Sequence, residues 1–142
     1  MSTLERAIEI AVQAHKGQTD KAGAPYILHP LRVMMSFSTE TEMTVAVLHD
    51  VVEKSSWTIS QLSDAGFSME ILQAVECVTR RDDESYADFL ERNKTNPIGR
   101  RVRIADIEDK LDLRRFDDLT DTDLQRLQRY HRAWRVLSGR LC

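Results

Sequence analysis

The sequence predicts an all-α protein of one compact domain. Apolar residues recur at three- and four-residue steps through most of the chain, helix-capping residues stand before those stretches, and no segment shows the two-residue alternation of a half-buried strand. A chain of 142 residues can bury one substantial core and is too short for two ordinary ones, so residues 1–142 read as a single domain without linker or repeat.

The elements follow in order. Leu4, Ala7, Ile8, Ala11 and Ala14 form a stripe behind Ser2, which with Glu5 reads as a capping box, giving a helix from Thr3 to His15. Gly17, Gly23 and Pro25 then mark a loop. Pro30 suits the first position of a short helix to about Phe37, with His29 as its cap. A longer helix from about Thr41 to Lys54 carries the run VAVLHDVVE. Thr58 with Gln61 caps a helix that Gly66 ends, Ser68 starts another through Val78, and Ser85 caps one through about Asn93. Pro97 opens a second central helix, in which Val102, Ile104, Ala105, Ile107, Leu111 and Leu113 make most faces apolar around Asp106. The last helix follows Thr122, and its stripe of Leu127, Tyr130, Trp134 and Leu137 is predicted to be core.

A net charge of −3 argues against broad attachment to nucleic-acid polymer or anionic membrane. Arginines are nevertheless concentrated in the last third, from Arg100 to Arg135, where they suit a small phosphate-bearing ligand or, for most of them, solvated helix faces. A third use of that segment, binding RNA, is disfavoured because its aromatics fit a core stripe. Cys77 and Cys142 do not make a disulfide framework. The start MSTLERAIEI has no apolar signal core, and no uninterrupted apolar stretch approaches the ~20 residues of a membrane span, so cytoplasmic residence is expected. Oligomeric state is left open.

Burying His49-Asp50 in so apolar a run is expensive unless a metal or counter-charge compensates it. His29 upstream and Asp106 downstream complete a set of two imidazoles and two carboxylates, suited to manganese, iron or zinc with coordination places left for water and substrate. Such a centre lowers the pKa of bound water and offsets charge on a phosphoryl oxygen, so phosphate-ester hydrolysis is the expected chemistry. Glu53, one turn beyond Asp50, is the expected base for the attacking water. The blander alternatives are a capping His29, a buried Asp106–Lys110 salt bridge, and structural or solvated roles for His15 and His131.

The strings AHKGQTDKAGAPYILHPLRV, AVLHDVVE and VRIADIEDKLDLRR, in that order, resemble the metal-dependent HD superfamily, most closely the hydrolase domain of RelA/SpoT enzymes and the small stand-alone alarmone hydrolases. The resemblance spans nearly the whole chain. It implies a compact helical fold, a manganese ion, and removal of the 3′-pyrophosphate from ppGpp. It places the metal ligands on His29, His49, Asp50 and Asp106, with Asp50 also in the catalytic machinery, and substrate contacts on Lys21, Arg103, Arg126 and Tyr130. The chain departs from the family at three points: the acidic pair after the HD motif reads Glu53-Lys54, an Asn after the last ligand is Lys110, and a base-stacking Arg is replaced near Asp20. Lys54 and Lys110 add positive charge suited to phosphate. The expected function is therefore metal-dependent hydrolysis of a small phosphorylated nucleotide, ppGpp among them. The alternative is an altered HD module that binds metal and an anionic ligand without turnover.

Overall fold

The computed structural model describes residues 2–140. Its helices are α1 (Leu4–His15), α2 (Leu28–Met34), α3 (Glu40–Leu48), α4 (Val51–Lys54), α5 (Ile59–Asp64), α6 (Met69–Cys77), α7 (Tyr86–Asn93), α8 (Pro97–Lys110) and α9 (Asp121–Leu137), with a 3-10 turn at Leu113–Arg115. Among the described residues there is no strand, only one isolated bridge between Thr19 and Pro25. The all-α expectation therefore holds. No described helix is long and apolar enough to cross a membrane.

Two helices organise the rest. The second half of α3 is apolar on nearly every side, and Thr44, Val45, Ala46, Val47 and Leu48 are all buried because α1, α2, α6 and α8 pack around them. Full burial of a Val or Leu side chain is worth about 1.5–3 kcal/mol, so this short helix anchors the fold. Around it Ile10, Val33, Val51, Leu62, Val75 and Val102 complete one continuous core. A smaller core of Ile107, Ala133 and Leu137 joins α8 to α9, with Trp134 half-buried beside it. Helix α8 thus touches both cores and holds Asp106 between them.

Several boundaries differ from expectation. The cap of α1 is Thr3, whose side chain accepts from the Arg6 N–H, because Ser2 is used instead to tie the start of the chain to the carbonyls of Ala65 and Gly66. Helix α2 begins at Leu28, which places His29 and Pro30 inside its first turn rather than at its edge; Pro30 is tolerated there because first-turn N–H groups have no helical partner. The long helix expected through Lys54 breaks at His49-Asp50, where Asp50 adopts φ −105°, ψ −1°. On an unbroken helix neighbouring side chains diverge by ~100°, whereas the break brings His49 Nε2 to 3.1 Å from Asp50 Oδ2. Helix α9 begins at Asp121 because Thr120 and Asp123 form its capping box. Its predicted core stripe holds only toward its end: Leu137 is buried, but Leu127 and Tyr130 line a cavity. The boxes or caps at Thr58, Ser68 and Ser85, and Pro97 at the start of α8, are as expected. Cys77 is a buried free thiol, and Cys142 lies outside the described residues.

Candidate metal centre and its cavity

Three elements deliver four buried side chains to one point: α2 supplies His29, the α3–α4 break supplies His49 and Asp50, and α8 supplies Asp106. One donor atom from each lies within 4.8 Å of the others. His29 Nε2 is 2.8 Å from Asp106 Oδ1 and 3.8 Å from Asp50 Oδ2, and His49 Nε2 is 3.4 Å from Asp106 Oδ1. Three surrounding groups supply positive charge or a donated hydrogen to the carboxylates. Tyr26 donates its hydroxyl to Asp50 Oδ2, Arg103 Nη1 donates to Asp106 Oδ2, and Lys110 Nζ lies 3.2 Å from Asp106 Oδ1.

The charges in the cluster depend strongly on one another. Burial alone would lower the pKa of His49, but the Asp50 and Asp106 carboxylates outweigh it and push the ring up to about 10. Burial alone would raise Asp50, but the facing His49 and Lys110 hold it far below the carboxylate range. Asp106 is likewise held low against burial by Lys110, His49 and Arg103. The Tyr26 phenol is driven well above its ordinary value by burial and by Asp50, so it stays a hydrogen donor. In the absence of an ion the two ionised carboxylates are balanced by Lys110, Arg103 and a protonated His49. His49 Nδ1 is spent on the Ala46 carbonyl at 2.6 Å, and its Nε2 has no hydrogen-bond partner. An orphaned imidazole nitrogen aimed at two carboxylates fits a nitrogen-and-oxygen site for a divalent cation.

His29 also opens onto a cavity of about 510 Å³, walled by the loop before α2 and by residues of α8, the 3-10 turn and α9. Six cationic side chains, Lys21, Arg32, Lys54, Lys110, Arg115 and Arg126, face three carboxylates, Asp20, Asp109 and Asp123, on its wall. Phe116, Leu127 and Tyr130 give it an apolar side. It has the shape and charge of a site for a small polyanion with a planar group.

The placement sorts the expected residues. Lys21, Lys54, Lys110, Arg126 and Tyr130 reach this wall. Lys54 Nζ also sits 5.2 Å from the Tyr26 ring centroid, and Lys110 Nζ 5.5 Å from that of Tyr130. Arg103 does not reach it: the side chain is buried on Asp106 and donates to the Tyr86 hydroxyl at 3.2 Å. Glu53 is not on it either. Its carboxylate is exposed and accepts from the Arg80 N–H at 3.1 Å, because the break at residues 49–50 turns α4 so that Lys54 rather than Glu53 faces the cavity. The Asp106–Lys110 salt bridge weighed as an alternative to metal ligation exists alongside the cluster. His15 is buried and bonded to Gln18, with its pKa lowered chiefly by burial, and His131 is exposed, stacked on Trp134.

Four groups around the centre escaped sequence reasoning: Tyr26, Arg32, Asp109 and Arg115. Tyr26 and Arg32 stand three residues before and after His29, and Asp109 stands three after Asp106, a spacing that puts helical neighbours on one face. That spacing was the available signal.

No family model matches the chain. Among curated proteins, a Vibrio cholerae protein named guanosine-3′,5′-bis(diphosphate) 3′-pyrophosphohydrolase is 32% identical over 114 residues, 77% of this chain and 16% of the relative. The Escherichia coli K12 protein named bifunctional (p)ppGpp synthase/hydrolase SpoT is 35% identical over 98 residues, 66% of this chain and 14% of the relative. The chain thus spans about a sixth of the length of the curated relatives it matches. A solved structure described as a metazoan ortholog of SpoT that hydrolyzes ppGpp superimposes with a TM-score of 0.80 at 18% identity, covering 96% of this chain and 85% of that one, so the fold is shared. In sequence this chain resembles part of these ppGpp hydrolase and SpoT proteins, and in architecture it shares the helical fold of the solved SpoT ortholog.

Proposed function

We propose that the chain is a manganese-dependent phosphohydrolase of small phosphorylated nucleotides, acting as a 3′-pyrophosphohydrolase on ppGpp or a close analogue. The observation that carries this reading is the continuity of the buried His29, His49, Asp50 and Asp106 cluster with a cavity rich in cations. The names of the similar proteins point the same way.

His29, His49, Asp50 and Asp106 would hold the ion. A divalent cation supplies Lewis acidity toward a phosphoryl oxygen and lowers the pKa of nearby water. The chain's own side chains do the rest. Tyr26 and Arg103 hold the Asp50 and Asp106 carboxylates in place by donating to them. Lys54 and Lys110 bind the phosphate groups nearest the cluster, and Lys21 and Arg126 hold charge farther along the wall. Tyr130 presents a ring face to the nucleotide base. Glu53 serves as base for the attacking water only after leaving the Arg80 N–H, so a substrate-induced shift of α4 is part of this reading. Arg103 acts through Asp106 rather than on substrate. Cytoplasmic residence belongs to the same reading, since small phosphorylated nucleotides are found there.

The test is turnover of ppGpp, pppGpp, NADPH and simple nucleotides by purified protein supplied with manganese. Release of pyrophosphate or phosphate, abolished by Asp50→Ala, is the expected result. Manganese binding without turnover of any of them would leave a metal- and anion-binding module.

A further inference from the structure

His29 has two ring nitrogens, and the structure assigns each to a different task. Nε2 faces the cluster, while Nδ1 lies 2.6 Å from Asp109 Oδ2. Asp109 is itself gripped on both oxygens. Arg32 Nε donates to Oδ1 at 2.8 Å and Arg32 Nη2 to Oδ2 at 3.0 Å, a two-pronged contact between α2 and α8. Arg115 Nη2 adds a third cationic contact at 3.4 Å and donates to the Asp109 backbone carbonyl. A guanidinium can only donate, so these arginines fix the Asp109 oxygens as acceptors. Nδ1 must then carry hydrogen toward Asp109, leaving Nε2 as the nitrogen available to an ion. The carboxylate side chain is only 12% exposed, so water competes weakly for it.

We propose that Asp109 is a positioning residue for His29: it fixes the ring's orientation and its Nδ1–H form, and so tunes the affinity of the centre for its ion. The inference rests on the metal-centre reading above. A mere α2–α8 ion pair would be complete with Arg32 alone and would not require the short bond to His29. Because Arg32 and Arg115 also stand on the cavity wall, the same carboxylate holds two anion-facing guanidiniums in place. Outer partners of this kind typically contribute 10–100-fold to metal affinity.

Calorimetric titration of manganese into the wild-type protein and into Asp109→Ala, Asp109→Asn and Arg32→Gln tests it. Asp109→Ala should bind about 10–100-fold more weakly. Asp109→Asn, which keeps an acceptor oxygen but loses the charge, should fall between it and the wild type, and Arg32→Gln should show a smaller loss. In the wild-type protein loaded with zinc as a diamagnetic probe, ring nitrogen-15 shifts should show His29 protonated at Nδ1. Asp109→Ala binding within threefold of wild type overturns the proposal, as does His29 ligation through Nδ1. If Asp109→Ala does not fold, the other two variants and the wild-type nitrogen-15 spectrum decide. A wild-type protein that takes up neither manganese nor zinc would sink the metal reading itself, a result distinct from either of these.

Discussion

His49 gives its Nδ1–H to the Ala46 carbonyl at 2.6 Å, and this one bond decides that the nitrogen facing Asp50 and Asp106 is Nε2. The cluster is then satisfied either by a proton on that nitrogen or by a cation among the four side chains.

The two occupants compete, which gives a pH dependence with a definite sign. Without an ion, burial opposes and the two carboxylates raise the His49 pKa from an ordinary 6.5 to about 10. A raised folded-state pKa contributes stability that is complete below about 6.5 and is lost as the pH climbs through about 10. The melting temperature of chelator-treated protein should therefore fall across that window, and manganese affinity should rise by up to about tenfold per pH unit within it as the proton is displaced. Calorimetry at several pH values, with chelator and with manganese, checks both; an affinity independent of pH would contradict the arrangement.

Replacing Asp106 and replacing Asp50 should differ in cost. Asp106→Asn strands Arg103 and Lys110 beside a neutral amide, so the ion-free protein should lose on the order of 3–5 kcal/mol. Asp50→Asn keeps an acceptor for the Tyr26 hydroxyl and relieves repulsion with Asp106, so its loss should be smaller. Both should abolish stabilisation by manganese. Urea unfolding with and without the ion measures the difference, and equal costs in the ion-free state would contradict this account of the charges.

Lys110 should act with opposite sign on metal and on substrate. Its ammonium, 3.2 Å from the Asp106 oxygen that also faces His29, opposes a cation there. Lys110→Met should tighten manganese by about tenfold through removal of that repulsion, while KM for a phosphorylated nucleotide rises because a cavity cation is gone. A variant that weakens both would show the lysine to be a hydrogen-bonding support of the ligand instead.

Helices α6 and α8 pack tightly where Gly99 faces Cys77. A Cβ on Gly99 would meet Cys77 Sγ at 2.8 Å and Cys77 Cβ at 3.0 Å. Gly99→Ala should therefore cost about 1–3 kcal/mol as an overpacked contact, despite the better helix propensity of alanine. Adding Cys77→Ala should recover part of it, and a double-mutant cycle in urea would show the coupling; additive effects would place the clash elsewhere.

Much of the architecture was legible because it rests on local rules. Thr58 with Gln61, Ser68, Ser85 and Pro97 each mark a helix start through a backbone N–H that needs an acceptor or a position that needs none, and each start is where the sequence placed it. Local rules failed where a distant partner won. Ser2 gave up its cap to bond Ala65, a residue 63 positions away, and the long helix through Lys54 broke because two adjacent polar side chains had to reach one buried point.

Three of the candidate ligands, His49, Asp50 and Asp106, were legible for a related reason: histidine and aspartate inside apolar runs are costly, and that cost shows in a linear string, whereas His29 read as a helix cap and joined the set through the resemblance. The facing of each surface side chain was not. Glu53 and Lys54 are neighbours on one short turn, and only the angle of α4 after the break sends the lysine to the cavity and the glutamate to Arg80. Arg103 reads as a substrate cation in sequence, yet α8 buries it on Asp106. Asp109 acquires its place through the packing of α8 on α2, which brings His29 and Arg32 to it across about eighty residues of chain. By itself the sequence determined the helical class, the helix starts marked by Thr58, Ser68, Ser85 and Pro97, and the burial of His49, Asp50 and Asp106, because these follow from periodicity, backbone valence and desolvation. Which cations face the cavity, and which carboxylate orients His29, was decided only by the tertiary structure, because those relations depend on angles between helices that no local run of residues encodes.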